Sequence, residues 1–130
     1  MYKVIWLLKR KPGITFEQFR DHYENSHARL GDKYFGHLLS AYRRNYNVRP
    51  EDREGSASPV DQILAAKGFD YDCITEWELA DEAAFLEIIA ALGDKEIGKV
   101  FYDDEEHFLD RASVRLVRCD MRDRVTAPGD

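Results

Sequence analysis

Four short segments of the chain are rich in apolar side chains, either alternating with polar ones or apolar on both faces, and these patterns predict four β-strands. The predicted strands cover residues 2–9, about 39–48, about 69–79 and about 112–121. The first strand is apolar on both faces, which indicates that both of its faces are covered. In the third strand, apolar and aromatic side chains occupy one face, whereas the other face carries acidic side chains and one isoleucine.

Between the strands, apolar residues recur at spacings of three and four, which predicts helices. The first helix begins after Thr15, because Thr15 and Gln18 have the pattern of a capping box. Its apolar face is mostly aromatic and includes one histidine; the residues are Phe16, Phe19, Tyr23, His27 and Leu30. A second helix is predicted between Asp81, as its N-cap, and Gly93, and a short third helix begins at Asp94.

The resulting order is β-α-β-β-α-α-β, which is the split βαβ arrangement of the ferredoxin-like fold. The predicted fold class is therefore α+β, with an antiparallel sheet that helices cover on one face. Because the first and third strands carry apolar residues on both sides, a second copy of the chain is expected to cover the other face, giving a homodimer. One domain is expected over residues 1–122, with a polar tail over 123–130. The connection over 49–68 is long for a compact domain, and residues 60–67 within it have the pattern of a short helix.

Composition and charge exclude several classes of protein. The chain has 130 residues, 44% hydrophobic and 34% charged, a balance typical of one globular domain. A net charge of −6 argues against nucleic acid as a partner, since its binders usually carry a basic patch. The apolar run Val4–Leu8 is too short for a signal peptide or a membrane span, so no membrane partner is expected and the expected compartment is the cytoplasm. Cys73 and Cys119 form no metal-binding motif; free thiols are expected, with a disulfide as the alternative.

His27 is the first candidate for chemistry. It lies on the aromatic face of the first helix, so its ring is expected to point towards the sheet. Histidine takes or gives a proton near neutral pH, which suits cyclisation, dehydration or decarboxylation of a phenolic substrate. The alternative is a structural histidine whose ring nitrogens bind backbone carbonyls. A pocket for a small-molecule substrate is expected between the sheet and this helix, lined by Trp6, Phe19, Tyr23, Tyr46 and Trp77.

Glu76 is the second candidate, because a carboxylate in the middle of a strand needs a partner. Either it orients His27 or acts as a base itself, or it pairs with an arginine of the second strand. Asn45 and Tyr46 of the second strand are candidates for binding a substrate oxygen, and Asn45 is an alternative to Glu76 for orienting the histidine.

Other polar groups suggest structural roles. The acidic run Asp103–Glu106 lacks the ligand spacing of a calcium loop and is expected to form either a solvated turn or a structural corner around Phe108 and Asp110, without a metal. His22 is expected to face solvent, and His37 and His107 to lie in loops. A small basic patch, either ion-paired or holding an anionic substrate group, is predicted from Arg43, Arg44, Arg49 and Arg53. No dinucleotide-binding or phosphate-binding motif occurs, so no cofactor is expected.

Three blocks of residues, in this order and spacing, together resemble the EthD family over most of the chain. The first block is Lys9-Arg10-Lys11-Pro12-Gly13, followed by Phe16, Phe19, Arg20, Tyr23 and His27. The second is Glu76-Trp77-Glu78-Leu79, followed by the helix that Asp81 caps and that contains Phe85. The third is Asp104-Glu105-x-x-Phe108-x-Asp110-Arg111.

The resemblance implies a dimeric α+β barrel. It also implies relatives among cofactor-free enzymes that act on polyketide-like aromatics and ring-cleavage lactones, including cyclases, dehydratases, decarboxylases, small monooxygenases and a methylmuconolactone isomerase. The chain departs from the isomerase pattern, because Trp77 stands at the strand position of that enzyme's cysteine and the 49–68 connection contains no histidine.

The expected function is a cofactor-independent enzyme of the cyclase, dehydratase, decarboxylase or isomerase type, with His27 as its general acid/base. Its substrate would be an aromatic, polyketide-like or lactone small molecule. The alternatives are a cofactor-free monooxygenase that uses its substrate as reductant, and a ligand-binding accessory dimer without catalysis.

Overall fold

One four-stranded antiparallel sheet organises the protein, in a computed structural model that describes residues 1–52 and 58–125. Its strands are β1 (Tyr2–Leu8), β2 (Leu39–Tyr46), β3 (Cys73–Leu79) and β4 (Arg115–Cys119). Their spatial order is β2-β3-β1-β4, with every neighbouring pair antiparallel. This topology is that of the ferredoxin-like fold, which confirms the predicted α+β class. Strand β3 begins four residues later than predicted, since the Asn47 side chain donates to the carbonyls of Phe69 and Tyr71.

Helices pack on one face of this sheet. They are α1 (Phe16–His22), α2 (Ala28–Phe35), α4 (Glu82–Leu92) and α5 (Lys95–Glu105), with a π-helical turn at Tyr23–His27. The connection between β2 and β3 holds α3 (Pro59–Lys67), which buries no residue, and a 3-10 turn at Pro50–Asp52; a second 3-10 turn lies at Arg111–Ser113. The predicted caps are present: the backbone N–H of Gln18 donates to Thr15 Oγ1 (3.0 Å), and that of Ala84 donates to Asp81 Oδ1 (2.9 Å). Helix α3 confirms the predicted short helix of the long connection.

The first predicted helix is interrupted by the π-helical turn, which the spacing of apolar residues did not reveal. A π turn holds one more residue than an α turn, so it shifts the direction of the side chains that follow it. The side chains of His22, Ser26 and His27 all reach the same residue of α5, Asp104. Single π turns of this kind occur frequently at functional sites.

The core lies between the helices and the sheet and has two parts. At one end, Phe19, Tyr23 and Phe108 are fully buried against β1 and β3. At the other end the buried side chains are Val4, Phe35, Leu79, Phe85, Ile88 and Phe101. Each buried side chain of this size contributes roughly 1.5–3 kcal/mol relative to an exposed one. Residues of both parts line a cavity between them.

On the opposite face of the sheet, the side chains belong to neither part of the core. Half-buried aliphatic side chains lie along its centre: Ile5, Leu7 and Ile74. Beside them, Lys3 Nζ lies 3.2 Å from Glu76 Oε2, and Arg43 Nη1 lies 3.2 Å from Glu78 Oε1. We refer to this surface as the open face.

Ion pairs fasten the long connection between β2 and β3. The carboxylate of Asp72 is buried, accepts the backbone N–H of Arg10 (2.7 Å) and pairs with the guanidinium of Arg49. Arg49 Nε also donates to Asp52 (3.0 Å). The predicted basic patch is thus ion-paired where it is described, and Arg53 lies outside the described residues, as do its neighbours up to residue 57.

Residues 126–130 of the predicted tail also lie outside the described part of the chain. Among the described helices, none is long and apolar enough to cross a membrane. Both cysteines are free. Cys73 is buried among the core residues, and Cys119 lies on β4 opposite Lys3 of β1 in the strand register. The prediction of free thiols is therefore confirmed.

Candidate active site

A cavity of about 280 Å³ lies between the sheet and the helices. Its walls are mostly apolar, and its polar groups come from Tyr23 and His27 of the π turn, Tyr42 of β2, Thr75 of β3, and Glu105 and Arg111 at the end of α5 and beyond it. The indoles of Trp6 and Trp77 form part of its floor, because the alternation along β1 and β3 turns both side chains towards the helices.

His27 is held by a carboxylate. Its Nδ1 lies 2.9 Å from Asp104 Oδ2, and its ring packs between Phe101 and Phe108, with centroid distances of 5.6 and 5.0 Å. An ionised carboxylate only accepts hydrogen bonds, so Nδ1 carries a proton, and in the neutral form of the ring the lone pair is therefore on Nε2. His27 lines the cavity, and Nε2 is therefore its available base.

Asp104 is an anion throughout the neutral range. Burial raises the pKa of its carboxyl group, but hydrogen bonds from His27 and Ser26 and the nearby charge of His22 outweigh burial and lower this pKa to about 2. Ser26 Oγ donates to Oδ1 at 2.5 Å, and His22 Nε2 lies 3.0 Å from the same oxygen. A carboxylate that fixes the tautomer and orientation of an imidazole is a recurring arrangement for general-base catalysis.

Two expectations from the sequence are wrong at this point. Asp104 lies within α5 and is 9% exposed, so it does not belong to a solvated turn. His22 does not simply face solvent: it binds Asp104, and its ring stacks on Phe108 at 5.0 Å. The sequence contained a signal for Asp104, because it follows Ile97 by seven residues and Phe101 by three within α5, which places an acid on an apolar helical stripe.

A chain of hydroxyl groups crosses one wall of the cavity. Tyr42 Oη donates to Tyr23 Oη (3.2 Å), which in turn lies 2.8 Å from Thr75 Oγ1. Burial raises the pKa of Tyr42 to about 12 and that of Tyr23 well above its ordinary value. Both phenols are thus neutral, and each is hydrogen-bonded within this group of three hydroxyls. Tyr42 and Thr75 were not among the residues predicted for the site.

Glu105 and Arg111 form a polar border of the cavity that the sequence also did not indicate. Arg111 Nε lies 3.3 Å from Glu105 Oε1, and its guanidinium stacks on Tyr102 at 3.6 Å from the ring centroid. Burial raises the pKa of Glu105, although the charges of His27 and Arg111 oppose this. The border therefore places a carboxyl group of raised pKa in the same cavity as the histidine.

Three buried donors of the cavity lining make no hydrogen bond within the described residues; one of them, Arg111 Nε, has its ion pair with Glu105, and the other two belong to indoles. The indole nitrogens Nε1 of Trp6 and of Trp77 are shielded from solvent, and neither makes a hydrogen bond within the described part of the chain. Buried N–H groups in native proteins are nearly always paired, so each exception needs an explanation.

The structure brings only part of the predicted site together. Trp6, Tyr23, His27 and Trp77 line the cavity, as expected. Phe19 is fully buried in the core and does not line it.

Tyr46 is engaged elsewhere and is not among the lining residues. Its hydroxyl donates to Glu24 Oε2 (2.5 Å), and Arg44 donates to both oxygens of this carboxylate, from Nε to Oε2 at 2.9 Å and from Nη2 to Oε1 at 2.8 Å. This cluster ties the π turn to β2.

Glu76 and Asn45 lie on the open face, so the expectation that one of them orients His27 is wrong. Successive side chains of a strand point to opposite faces, and Trp77 already faces the helices. Asn45 Nδ2 donates to Glu76 Oε1 (3.1 Å), and Glu76 pairs with Lys3. Asp104 holds the histidine in their place.

Comparisons with known proteins place this geometry in a family. The family model of the EthD domain matches residues 11–112. No curated protein gives a significant match.

Several solved structures share the fold, and their low identities limit the likeness to the fold. A protein of Arabidopsis thaliana is 18% identical, with 97% of this chain and 100% of that one covered and a TM-score of 0.57. A protein of the ethyl tert-butyl ether D family from Bacillus halodurans is 17% identical, with coverages of 94% and 100% and a TM-score of 0.58. A protein of Bacteroides fragilis, described as dimeric, of unknown function and ferredoxin-like, is 11% identical, with coverages of 92% and 95% and a TM-score of 0.55. Because the family model spans most of the sequence, the chain belongs to the EthD domain family.

Proposed function

We propose that this protein is a cofactor-independent enzyme that moves protons on a small aromatic, polyketide-like or lactone molecule. His27 is the general acid/base, and Asp104 is its positioning residue. The observation that carries this proposal is the contact of His27 Nδ1 with the buried Asp104 carboxylate, on the wall of an apolar cavity.

In this mechanism, Nε2 of the neutral His27 takes a proton from a carbon or hydroxyl group of the bound molecule. The resulting imidazolium is stabilised by the Asp104 anion, since the two lie within hydrogen-bond distance. The apolar walls strengthen this charge interaction relative to water. Return of the proton to another carbon gives isomerisation. Attack of the carbanion on a carbonyl carbon of the same molecule, with the proton going to the resulting alkoxide, gives cyclisation, and delivery of the proton to a leaving hydroxyl group, which departs as water, gives dehydration. A positioned acid/base of this kind is worth about 10²–10⁴-fold in rate.

We also propose that the protein is a homodimer in which a second copy covers the open face. Aliphatic side chains line the centre of this face, and ion-paired side chains of positive and negative charge flank them. The surface can therefore match a second copy of itself. The Bacteroides fragilis protein of the same fold is described as dimeric.

Proton exchange in heavy water tests the catalytic proposal without knowledge of the natural reaction. Enolisable ketones and lactones, α-tetralone among them, are first screened for a rise in the melting temperature. Those that bind are incubated with the protein, and loss of the α-proton signal is followed by NMR. We expect exchange above the buffer rate for wild type, and the buffer rate for His27→Gln. The matched controls are His37→Gln, an exposed histidine, and Glu76→Gln on the open face. If no compound that binds exchanges faster than in buffer, acid/base catalysis is contradicted. Oxygen consumption in the same tubes would instead support the monooxygenase alternative.

A further inference from the structure

The two indole N–H groups of the cavity point to what the bound molecule must contain. Nε1 of Trp6 and Nε1 of Trp77 are buried and unpaired among the described residues. A buried donor without an acceptor costs free energy, because it has lost its hydrogen bond to water. Both indoles belong to the wall of the same cavity.

The neighbouring side chains offer no acceptor in their place. The rings of Trp6 and Trp77 meet edge to face at 5.4 Å, and Trp77 also contacts the rings of Tyr42 and Phe85, each at 6.4 Å. The hydroxyl groups of Tyr42, Tyr23 and Thr75 bond to one another, and none of them accepts a hydrogen bond from an indole nitrogen. An acceptor for the indoles therefore has to arrive with a ligand, which has to displace the atoms that now shield the two nitrogens.

We propose that the cavity recognises a flat molecule through its carbonyl oxygen, which accepts hydrogen bonds from the indole N–H groups of Trp6 and Trp77. The substrate class is thus a ring ketone or ring lactone rather than a hydrocarbon. This inference rests on the proposed function for the cavity as the substrate site, but not on His27 as a base.

The arrangement also gives the indoles a part in the chemistry. When His27 Nε2 removes an α-proton, the electrons of the C–H bond form a C=C bond and the carbonyl π electrons move to oxygen. The oxygen gains negative charge and binds the indole donors more strongly than the carbonyl does, which favours the transition state over the ground state. Return of the proton from the imidazolium restores the neutral molecule, so no oxidant or further reactant is needed.

Proton–nitrogen correlation spectra test the proposal directly, because the chain has only two tryptophans and both line the cavity. The probes are α-tetralone and tetralin, which share a bicyclic shape and differ in the carbonyl group. We expect α-tetralone to move both indole N–H signals downfield and tetralin to leave them without a downfield shift. If neither signal moves downfield while α-tetralone binds, the proposal is overturned. An upfield signal that no ligand changes would overturn it as well, because it would show an N–H group facing the neighbouring aromatic ring.

Variants give a second measure that does not depend on the spectra. Trp6→Phe and Trp77→Phe remove the donor and keep an aromatic ring. Each should weaken α-tetralone binding about 3- to 10-fold more than tetralin binding, the size expected for one hydrogen bond. The control is Phe85→Leu, which changes the packing beside Trp77 without removing a donor and should affect both probes alike. Equal losses for both probes in the tryptophan variants would overturn the proposal.

The outcome is separable from that of the proposed function. In His27→Gln, α-tetralone should still shift both indole signals although proton exchange stops. Indole shifts without exchange in wild type would refute the catalytic proposal and leave the recognition of a carbonyl group standing. Proton exchange without indole shifts would support the catalytic proposal and refute the recognition of the carbonyl group by the indoles.

Discussion

The two faces of the sheet each have a shielded carboxylate, and the two carboxylates differ in their partners. On the helix-covered face, Asp104 is 9% exposed and is held by two histidines and a serine of the first helical segment. On the open face, the Glu76 side chain is 21% exposed and pairs with a lysine of β1 and an arginine of β2. Histidine as a residue type titrates near neutral pH, whereas lysine and arginine do not. A carboxylate bound to histidine can therefore assist proton transfer, whereas the other kind fixes structure.

The surroundings of the two carboxylates reinforce this difference. Asp104 holds a ring that borders a cavity large enough for a small molecule. Glu76 lies in a network of side chains on a flat sheet surface that we expect a second copy to cover. On the proposed function, the same residue chemistry would serve catalysis on one face and assembly on the other, according to which partner can release a proton.

The largest expected effect comes from removing the base of the helix-covered face. His27→Gln should lower the exchange rate of a bound ketone by about 10²–10⁴-fold, because glutamine cannot take a proton. Glu76→Gln should leave the rate within about twofold of wild type, since its carboxylate lies on the opposite face. The measurement is the α-proton exchange rate by NMR at saturating ketone. A loss of rate in Glu76→Gln equal to that in His27→Gln would break the comparison between the faces.

The next effect is on stability, and it depends on pH. The pKa of Asp104 is lowered to about 2 in the folded protein, so its contribution to stability is present above its ordinary pKa near 3.8 and is lost as the pH falls towards about 2. Asp104→Asn should therefore cost about 2 kcal/mol of unfolding free energy near neutral pH, and the difference from wild type should shrink below about pH 4. Urea unfolding of both proteins across this range measures it. A difference that stays constant with pH would show that the carboxylate is not stabilised by its partners.

The sequence predicted most of the fold, because each element depends on local patterns. Alternation located four strands, and the caps at Thr15, Asp81 and Asp94 located three helix starts. The π turn at Tyr23–His27 escaped prediction, since its extra residue leaves the apolar spacing almost unchanged.

The candidate site was predictable only where a single helix or strand decides which way a side chain points. The histidine and the tryptophans were placed in the cavity by periodicity alone. Periodicity could not identify the partner of His27, because Asp104 is 77 residues away along the chain and comes into contact only through the packing of α5. Glu76 was predicted to act beside His27, although the alternation along its strand already placed it on the face opposite to Trp77. The division into a domain over 1–122 and a tail stays a prediction.

A smaller effect is expected for the assembly that the open face supports. Val117 of β4 lies on this face and is 44% exposed in the single chain, so Val117→Glu should leave folding intact and place a charge in the contact with the second copy. The dissociation constant of the dimer should rise at least about tenfold, because a buried unpaired charge opposes association. Leu86→Glu on α4, where the leucine is 55% exposed, is the matched control and should leave the dimer unchanged. Sedimentation equilibrium decides, and an unaltered dimer in Val117→Glu would place the interface elsewhere.

The smallest effect is expected for the second histidine of the helix-covered face, and it sharpens the comparison most. His22→Phe removes one donor to Asp104 and keeps a ring against Phe108, while Ser26 and His27 continue to hold the carboxylate. The pKa of Asp104 should rise part of the way from about 2 towards its ordinary value, and ketone exchange should change by no more than about threefold. Carbon NMR titration of the carboxyl group measures the first quantity, with His107→Phe as the control for a neighbouring ring.

A loss of exchange as large as in His27→Gln would mean that the two histidines and the carboxylate act as one unit. Protons would then pass from the partly exposed His22 through Asp104 to the base, and the catalytic face of the sheet would extend from the cavity to the surface of the protein.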